Sequence, residues 1–109
     1  MPMLFVYATA ADAEEASRLG RALVEARLAA CATVIAGARS VYWWEGKLTE
    51  ASEAVLILKT QPARLDALVT RLRQLHSYDC PCIEAIPVSG GNPEFLAWVE
   101  RETAERPAG

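Results

Sequence analysis

Glu53-Ala54-Val55-Leu56-Ile57-Leu58-Lys59-Thr60 is the stretch that decides the fold. Between Ala54 and Leu58 no polar side chain falls on either alternate position. Side chains on a strand point to opposite faces in turn, so residues 54, 56 and 58 line one face and residues 55 and 57 the other. A strand with one face in water should alternate apolar and polar residues. This one is expected to be apolar on both faces. Upstream lies Ser40-Val41-Tyr42-Trp43-Trp44-Glu45, in which Tyr42 and Trp44 point one way and Val41 and Trp43 the other. Glu45-Gly46-Lys47 has turn chemistry, so the two runs read as a long antiparallel hairpin. The first arm begins with Cys31 to Ile35, and Gly37 marks a bulge or bend within it.

Outward from the hairpin, Leu4 to Ala8 is a short continuous apolar run and reads as a buried strand. Asp12 with Glu15 three residues on has capping-box spacing and opens a helix. Ala16, Leu19, Leu23, Ala26 and Ala30 supply its apolar face. Pro62 suits a first helical position, and Leu65, Leu68, Val69, Leu72 and Leu75 form the face of a second helix. Ser77-Tyr78-Asp79 ends that helix, and Pro81 to Val88 reads as a fourth strand. Gly90-Gly91-Asn92-Pro93 leads to a last helix expected to bury Phe95, Trp98 and Val99, with a frayed tail over Ala104 to Gly109. The order is α+β, a ferredoxin-like βαββαβ sandwich with an additional C-terminal helix and a long aromatic β-hairpin, over one domain spanning residues 1–109.

Two helices cover one face of such a sheet, and the terminal helix reaches only part of the other. A contiguous apolar patch is left that a lone soluble chain should not show, so self-association is expected. The chain carries 52% hydrophobic residues, enough for a core, and a net charge of −3 with acids and bases interspersed. That balance argues against nucleic acid or an anionic membrane surface as partner. The start, Met1 to Tyr7, is not expected to be a signal peptide, and no apolar run approaches membrane-spanning length. The three cysteines, Cys31, Cys80 and Cys82, argue for reduced thiols and a cytoplasmic setting.

Several segments together resemble the CutA divalent-cation tolerance family: Leu28-Ala29-Ala30-Cys31-Ala32-Thr33, Ser40 to Lys47, Leu58-Lys59-Thr60, His76-Ser77-Tyr78-Asp79-Cys80-Pro81 and Gly91-Asn92-Pro93-Glu94-Phe95-Leu96. The resemblance covers nearly the whole chain in the right order. It implies a homotrimer of PII-like architecture, linked to tolerance of copper and other divalent cations, with no metal required for folding. Two positions depart from the family pattern. Ser77 stands where a proline is usual, and Cys82 where an acid is frequent, with Glu84 two residues later.

His76, Cys80 and Cys82 are the candidate metal ligands, one imidazole nitrogen and two sulfurs suited to Cu(I) or Zn. The competing reading makes His76 a helix C-cap and the thiols small apolar groups. Cys31 is expected in the core. Glu53, Lys59, Tyr78 and Glu84 lie near apolar strands and are placed in a cleft between subunits that takes a small anion or a metal. Interfacial ion pairs are the alternative for these four. Tyr42, Trp43 and Trp44 are assigned to the trimer interface.

No enzyme is read from the sequence. The loop Thr9-Ala10-Ala11-Asp12-Ala13 has no glycine and carries an acid, which disfavours phosphate. A His76–Cys80 pair has no third orienting group, and a metallochaperone would need Cys-x-x-Cys in that loop. The expected function is a homotrimeric divalent-cation tolerance protein that binds copper or another divalent metal, or acts in PII-like signalling. The alternatives are a small-molecule or anion-binding trimer and an unidentified enzyme on the same fold.

Overall fold

The computed structural model describes residues 2–106. The chain forms β1 (Met3–Ala10), α1 (Ala13–Glu25), β2 (Cys31–Trp44), β3 (Lys47–Thr60), a 3₁₀ turn at Pro62–Arg64, α2 (Leu65–Leu75), β4 (Ile83–Val88) and α3 (Pro93–Glu102). The four strands make one antiparallel sheet in the order β2-β3-β1-β4. This is the ferredoxin-like arrangement with an added helix that the sequence predicts.

The even-numbered residues of β1, and those of β3 from Ala54 onward, face α1 and α2. Val6, Ala8, Ala54, Leu56 and Leu58 pack there with Leu19, Leu23, Leu68 and Leu72, all at 1% exposure or less. Contact is tight enough that a Cβ on Gly20 of α1 would sit 2.8 Å from the Cβ of Ala32. On the other face, α3 closes one corner by packing Val99 on Met3 and Ala30, with Val88, Leu96 and Trp98 around them. Its C-terminus is held by Gln61 and Arg64, whose Nε donates to the Thr103 carbonyl at 2.8 Å. Phe95 remains exposed, because it falls on the side of α3 turned away from this small cluster.

The hairpin is longer than expected, because β3 begins at Lys47 rather than near Glu53. β1 pairs with β3 only from Ala54 to Thr60, so residues 38–53 form a two-stranded ribbon that runs past the sheet. Glu45 and Gly46 make its turn, both with positive φ (49° and 78°), as a two-residue hairpin turn requires. The register slips by one between Ile35 and Ala38, at Gly37 with φ 81°. This bulge exchanges the faces of β2. Before it, Cys31, Thr33 and Ile35 lie over the second face; after it, Ser40, Tyr42 and Trp44 do, opposite Ala51, Thr49 and Lys47.

Helix α1 opens as expected: Asp12 Oδ1 accepts from Glu15 N at 2.8 Å. It ends earlier than the periodicity suggests, at Glu25, and Ala26 is exposed. Arg27 takes a left-handed φ of 63°, and the N–H groups of Arg27 and Leu28 return to the carbonyls of Val24 and Leu23. That is a Schellman stop with arginine where glycine is usual. None of the helices in the described residues is long and apolar enough to cross a membrane.

Candidate functional site

The second face of the sheet carries the candidate site. Opposed residues share a face, so the register lays out its rows directly. One row is Cys31, Lys59, Phe5 and Ile86; the next is Thr33, Ile57, Tyr7 and Glu84; a third is Ile35, Val55 and Thr9. The middle of this face is half-buried, while Ile35 and Ile86 are each 50% exposed. The ribbon beyond it exposes Trp43 at 72%, Leu48 at 64% and Val41 at 61%, all on the side opposite Tyr42 and Trp44.

Where the ribbon leaves the sheet there is a cleft of ≈ 610 Å³. The ribbon contributes Tyr42 and Trp44 to it, β1 contributes Tyr7 and Thr9, and β3 contributes Glu53. The loop between α2 and β4 closes the remaining side with Tyr78, Asp79, Cys80 and Cys82. The Gly37 bulge is what brings Tyr42 and Trp44 to the side of Tyr7 and Glu53.

His76 anchors that loop. It is 8% exposed, caps α2, and both ring nitrogens are engaged. The Tyr78 N–H donates to Nδ1 at 3.0 Å, so Nδ1 is the unprotonated nitrogen and Nε2–H donates to the Thr9 carbonyl at 2.8 Å. Glu15 holds the loop from below. Its Oε1 accepts from Ala11 N and its Oε2 from Ser77 N at 2.9 Å. A proline at position 77 could not make this bond, so the departure from the family pattern supplies a donor. Burial pushes the Glu15 carboxyl up, but the bonds from Ala11 and Ser77, with His76 nearby, outweigh it and leave it below its ordinary value.

Tyr78 OH donates to Glu53 Oε2 at 2.9 Å. Burial, then the hydrogen bond to Glu53 and the charge on that carboxylate, push the phenol up to about 12. Cys82 Sγ lies 3.5 Å from Glu84 Oε1, and burial followed by Glu84 raises its thiol. Cys80 and Cys82 are exposed free thiols. They sit in the loop before β4 rather than on it, because the strand starts at Ile83 and not at Pro81. Pro81 has no N–H for a ladder, and the Thr9 carbonyl already accepts from His76.

Glu53, Tyr78, Cys80, Cys82, Tyr42 and Trp44 are therefore gathered at one cleft. Lys59 is not with them. It lies one row away, with Nζ 5.5 Å from the centre of the Phe5 ring. Cys31, beside it in the register, is half-buried on the second face rather than in the main core; burial raises its thiol and Lys59 partly offsets this. Trp43 points to the opposite side of the ribbon from Tyr42 and Trp44. Among the described residues no group of three or more His, Cys, Asp and Glu is placed to hold a metal ion, so one chain does not assemble His76, Cys80 and Cys82 into a ligand set. Thr9, Tyr7 and Asp79 join the cleft as residues that carry no site signal in the sequence. Thr9 and Tyr7 follow from the β1 register, which the sequence does not reveal.

Comparison with known proteins bears on this arrangement. A divalent-cation tolerance protein CutA from Pectobacterium atrosepticum is 46% identical over 94 residues, 86% of this chain and 86% of its own length. A protein CutA 1, chloroplastic, from Oryza sativa subsp. japonica is 40% identical over 105 residues, 96% of this chain; the chain spans only 59% of that relative's length. The crystal structure of CutA1 from Oryza sativa superposes with a TM-score of 0.93 at 40% identity, covering 97% of each chain. The family profile of the CutA1 divalent ion tolerance protein matches residues 4–102, from the first strand to the end of α3. With sequence and fold agreeing over nearly all of its length, the chain belongs to the CutA1 divalent ion tolerance family.

Proposed function

We propose that the chain works as a homotrimer that takes up copper or another divalent cation at the clefts beside its second sheet face. The observation that carries the assembly is the uncovered apolar surface. A two-stranded ribbon alone is marginal in water, yet this one exposes Trp43, Trp44, Val41 and Leu48. Val41, Trp43 and Leu48 adjoin on one side of the ribbon and Trp44 lies on the other, and apolar area exposed in this way marks an interface. A second copy has the same surface to cover, and closed symmetry satisfies every copy equally. Tyr42, Trp43 and Trp44 are the proposed contacts.

The metal reading places the soft ligands at Cys80 and Cys82, with Glu84 beside Cys82. Two thiols and one carboxylate are fewer donors than a closed site uses. The rest would come from a neighbouring copy, which ties metal uptake to assembly. His76 serves this site by holding the loop, since a metal on either ring nitrogen would replace one of its two hydrogen bonds. The family name of the Pectobacterium relative, a divalent-cation tolerance protein, supports the metal reading. Cytoplasmic residence is part of the proposal, because exposed thiols such as Cys80 and Cys82 persist in a reducing compartment. Nucleic acid, a membrane surface and catalysis are not part of it. A PII-like signalling role is the second reading, favoured by a cleft far larger than a bare ion needs.

Copper titration of the metal-free chain tests the metal reading. Stoichiometric binding is expected, with loss in Cys80→Ser/Cys82→Ser and retention in His76→Gln once folding is verified. Unchanged binding in the double variant would move the metal elsewhere.

A further inference from the structure

His76 is the only histidine in the chain, and its bonds fit one protonation state. Nδ1 accepts from the Tyr78 N–H at 3.0 Å, while Nε2–H donates to the Thr9 carbonyl at 2.8 Å. Only neutral imidazole accepts at one nitrogen and donates at the other. An imidazolium carries two N–H groups, so Nδ1–H would face the Tyr78 N–H across that 3.0 Å, donor against donor. Turning the ring over restores no acceptor, because the cation has none.

The groups around the ring decide what protonation does. From α1, Glu15 is the charged neighbour. Its Oε1 is taken by the Ala11 N–H at 3.0 Å and its Oε2 by the Ser77 N–H at 2.9 Å, with the Arg18 guanidinium 3.5 Å from the same Oε2. From the loop, the Tyr78 ring centre lies 4.8 Å from that of the imidazole, and its hydroxyl donates to Glu53 of β3 at 2.9 Å. β1 presents the neutral carbonyl of Thr9, and α2 presents its C-terminus, where the Leu72 carbonyl accepts from the His76 N–H. Glu15 and the end of α2 favour the cation, and the Tyr78 N–H opposes it. The bond from Nε2–H to Thr9 survives protonation, which leaves the Tyr78 backbone as the part that moves. We propose that His76 is a proton-operated latch: neutral, it fastens the loop of residues 77–82 to the end of β1; protonated, it releases the Tyr78 backbone and with it the Tyr78 hydroxyl from Glu53. Both ring bonds lie within one chain, and that chain alone buries His76 to 8% exposure. The latch is therefore independent of what covers the cleft in an assembly and of the metal reading. The Glu15 anchor outlasts it. Imidazole ordinarily takes its proton about two pH units above a carboxylate. Burial raises the Glu15 carboxyl, but the bonds from Ala11 and Ser77 bring it below its ordinary value, so Ser77 stays fastened while the ring titrates.

The test is a pH titration of the full, isotopically labelled chain, freed of metal with a chelator and followed by NMR. The His76 ring gives the only imidazole signals, so its titration is read directly. At neutral pH the ring should show the tautomer protonated on Nε2. Protection of the Tyr78 amide from hydrogen exchange should fall by about tenfold or more through the ring's titration. The amides of Leu56 and Leu58 in the core should keep theirs. His76→Gln offers an amide oxygen to Tyr78 and an amide N–H to Thr9 but gains no proton, so its Tyr78 amide should stay protected over the same range. If that variant does not fold, the parent titration decides alone. The tautomer protonated on Nδ1 at neutral pH, a Tyr78 amide that keeps its protection through the ring's titration, loss of protection only together with the core, or the same loss in a folded His76→Gln would each overturn the proposal.

Discussion

Glu15 shows how a single side chain joins parts of the chain that lie far apart in sequence. Its carboxylate caps the start of α1 through Ala11 and pins the loop after α2 through Ser77. Glu15→Ala leaves two backbone donors without it, and a loss of about 2–3 kcal/mol is expected in denaturant unfolding. Because the folded carboxyl sits below its ordinary value, its contribution is present above the unfolded carboxylate range. It is lost as pH falls through the lower folded value. Glu15→Gln should therefore flatten the fall in stability on the acid side. Tyr78 works in the other direction. Its phenol is raised to about 12, so its contribution is full below the ordinary tyrosine value near pH ~10 and is lost as pH rises toward the folded one. Glu53→Gln should bring the phenol down in a spectrophotometric titration, using Tyr78→Phe to identify its signal. The sequence makes the Asp12–Glu15 spacing legible, but not Ser77 as the second partner, because that contact spans 62 residues. Residue type and the spacing of His76 to Cys80 and Cys82 suggest a ligand, but the two hydrogen bonds of His76 depend on Thr9 and Tyr78, and the contact with Thr9 is one that only the fold makes.

Among the elements, the hairpin carries most of what is distinctive. Its strands, its turn and its bulge are all legible, because Gly37 and Gly46 interrupt apolar and aromatic runs where positive φ is needed. The length of β3 is not legible. Lys47 to Ser52 is polar and mixed, and it becomes a strand by pairing with β2 rather than by burial. The end of α1 is missed for a similar reason: Arg27 adopts the left-handed stop that glycine usually marks. Its guanidinium meets Glu102 at 2.9 Å, tying the stop to α3. Removing Cβ strain with Arg27→Gly gains about 1 kcal/mol at the backbone and gives up an exposed pair worth less than about 1 kcal/mol, so thermal unfolding should show little net change. Gly20→Ala should destabilise, since its Cβ would come within 2.8 Å of Ala32 and 3.2 Å of Leu56. Leu56→Ala, at the centre of the same contact, is expected to cost about 2–5 kcal/mol by the same assay.

At the scale of the whole molecule, two helices cover one sheet face, α3 covers a corner of the other, and the ribbon runs out past both. The run Ala54 to Leu58 already required this, since it leaves no polar alternate for water to meet. What covers the remainder is the central claim: the proposed trimer would cover it, bury Trp43, Trp44 and Leu48 of the ribbon and add donors to the proposed ligands Cys80 and Cys82. Trp43→Asp, placed on the most exposed of these residues, should dissociate the assembly without altering the core. The most direct measurement is light scattering on a sized column at micromolar concentration. The account predicts a single species of about three times the chain mass of 11.9 kDa for the parent chain; a clean monomer would contradict it.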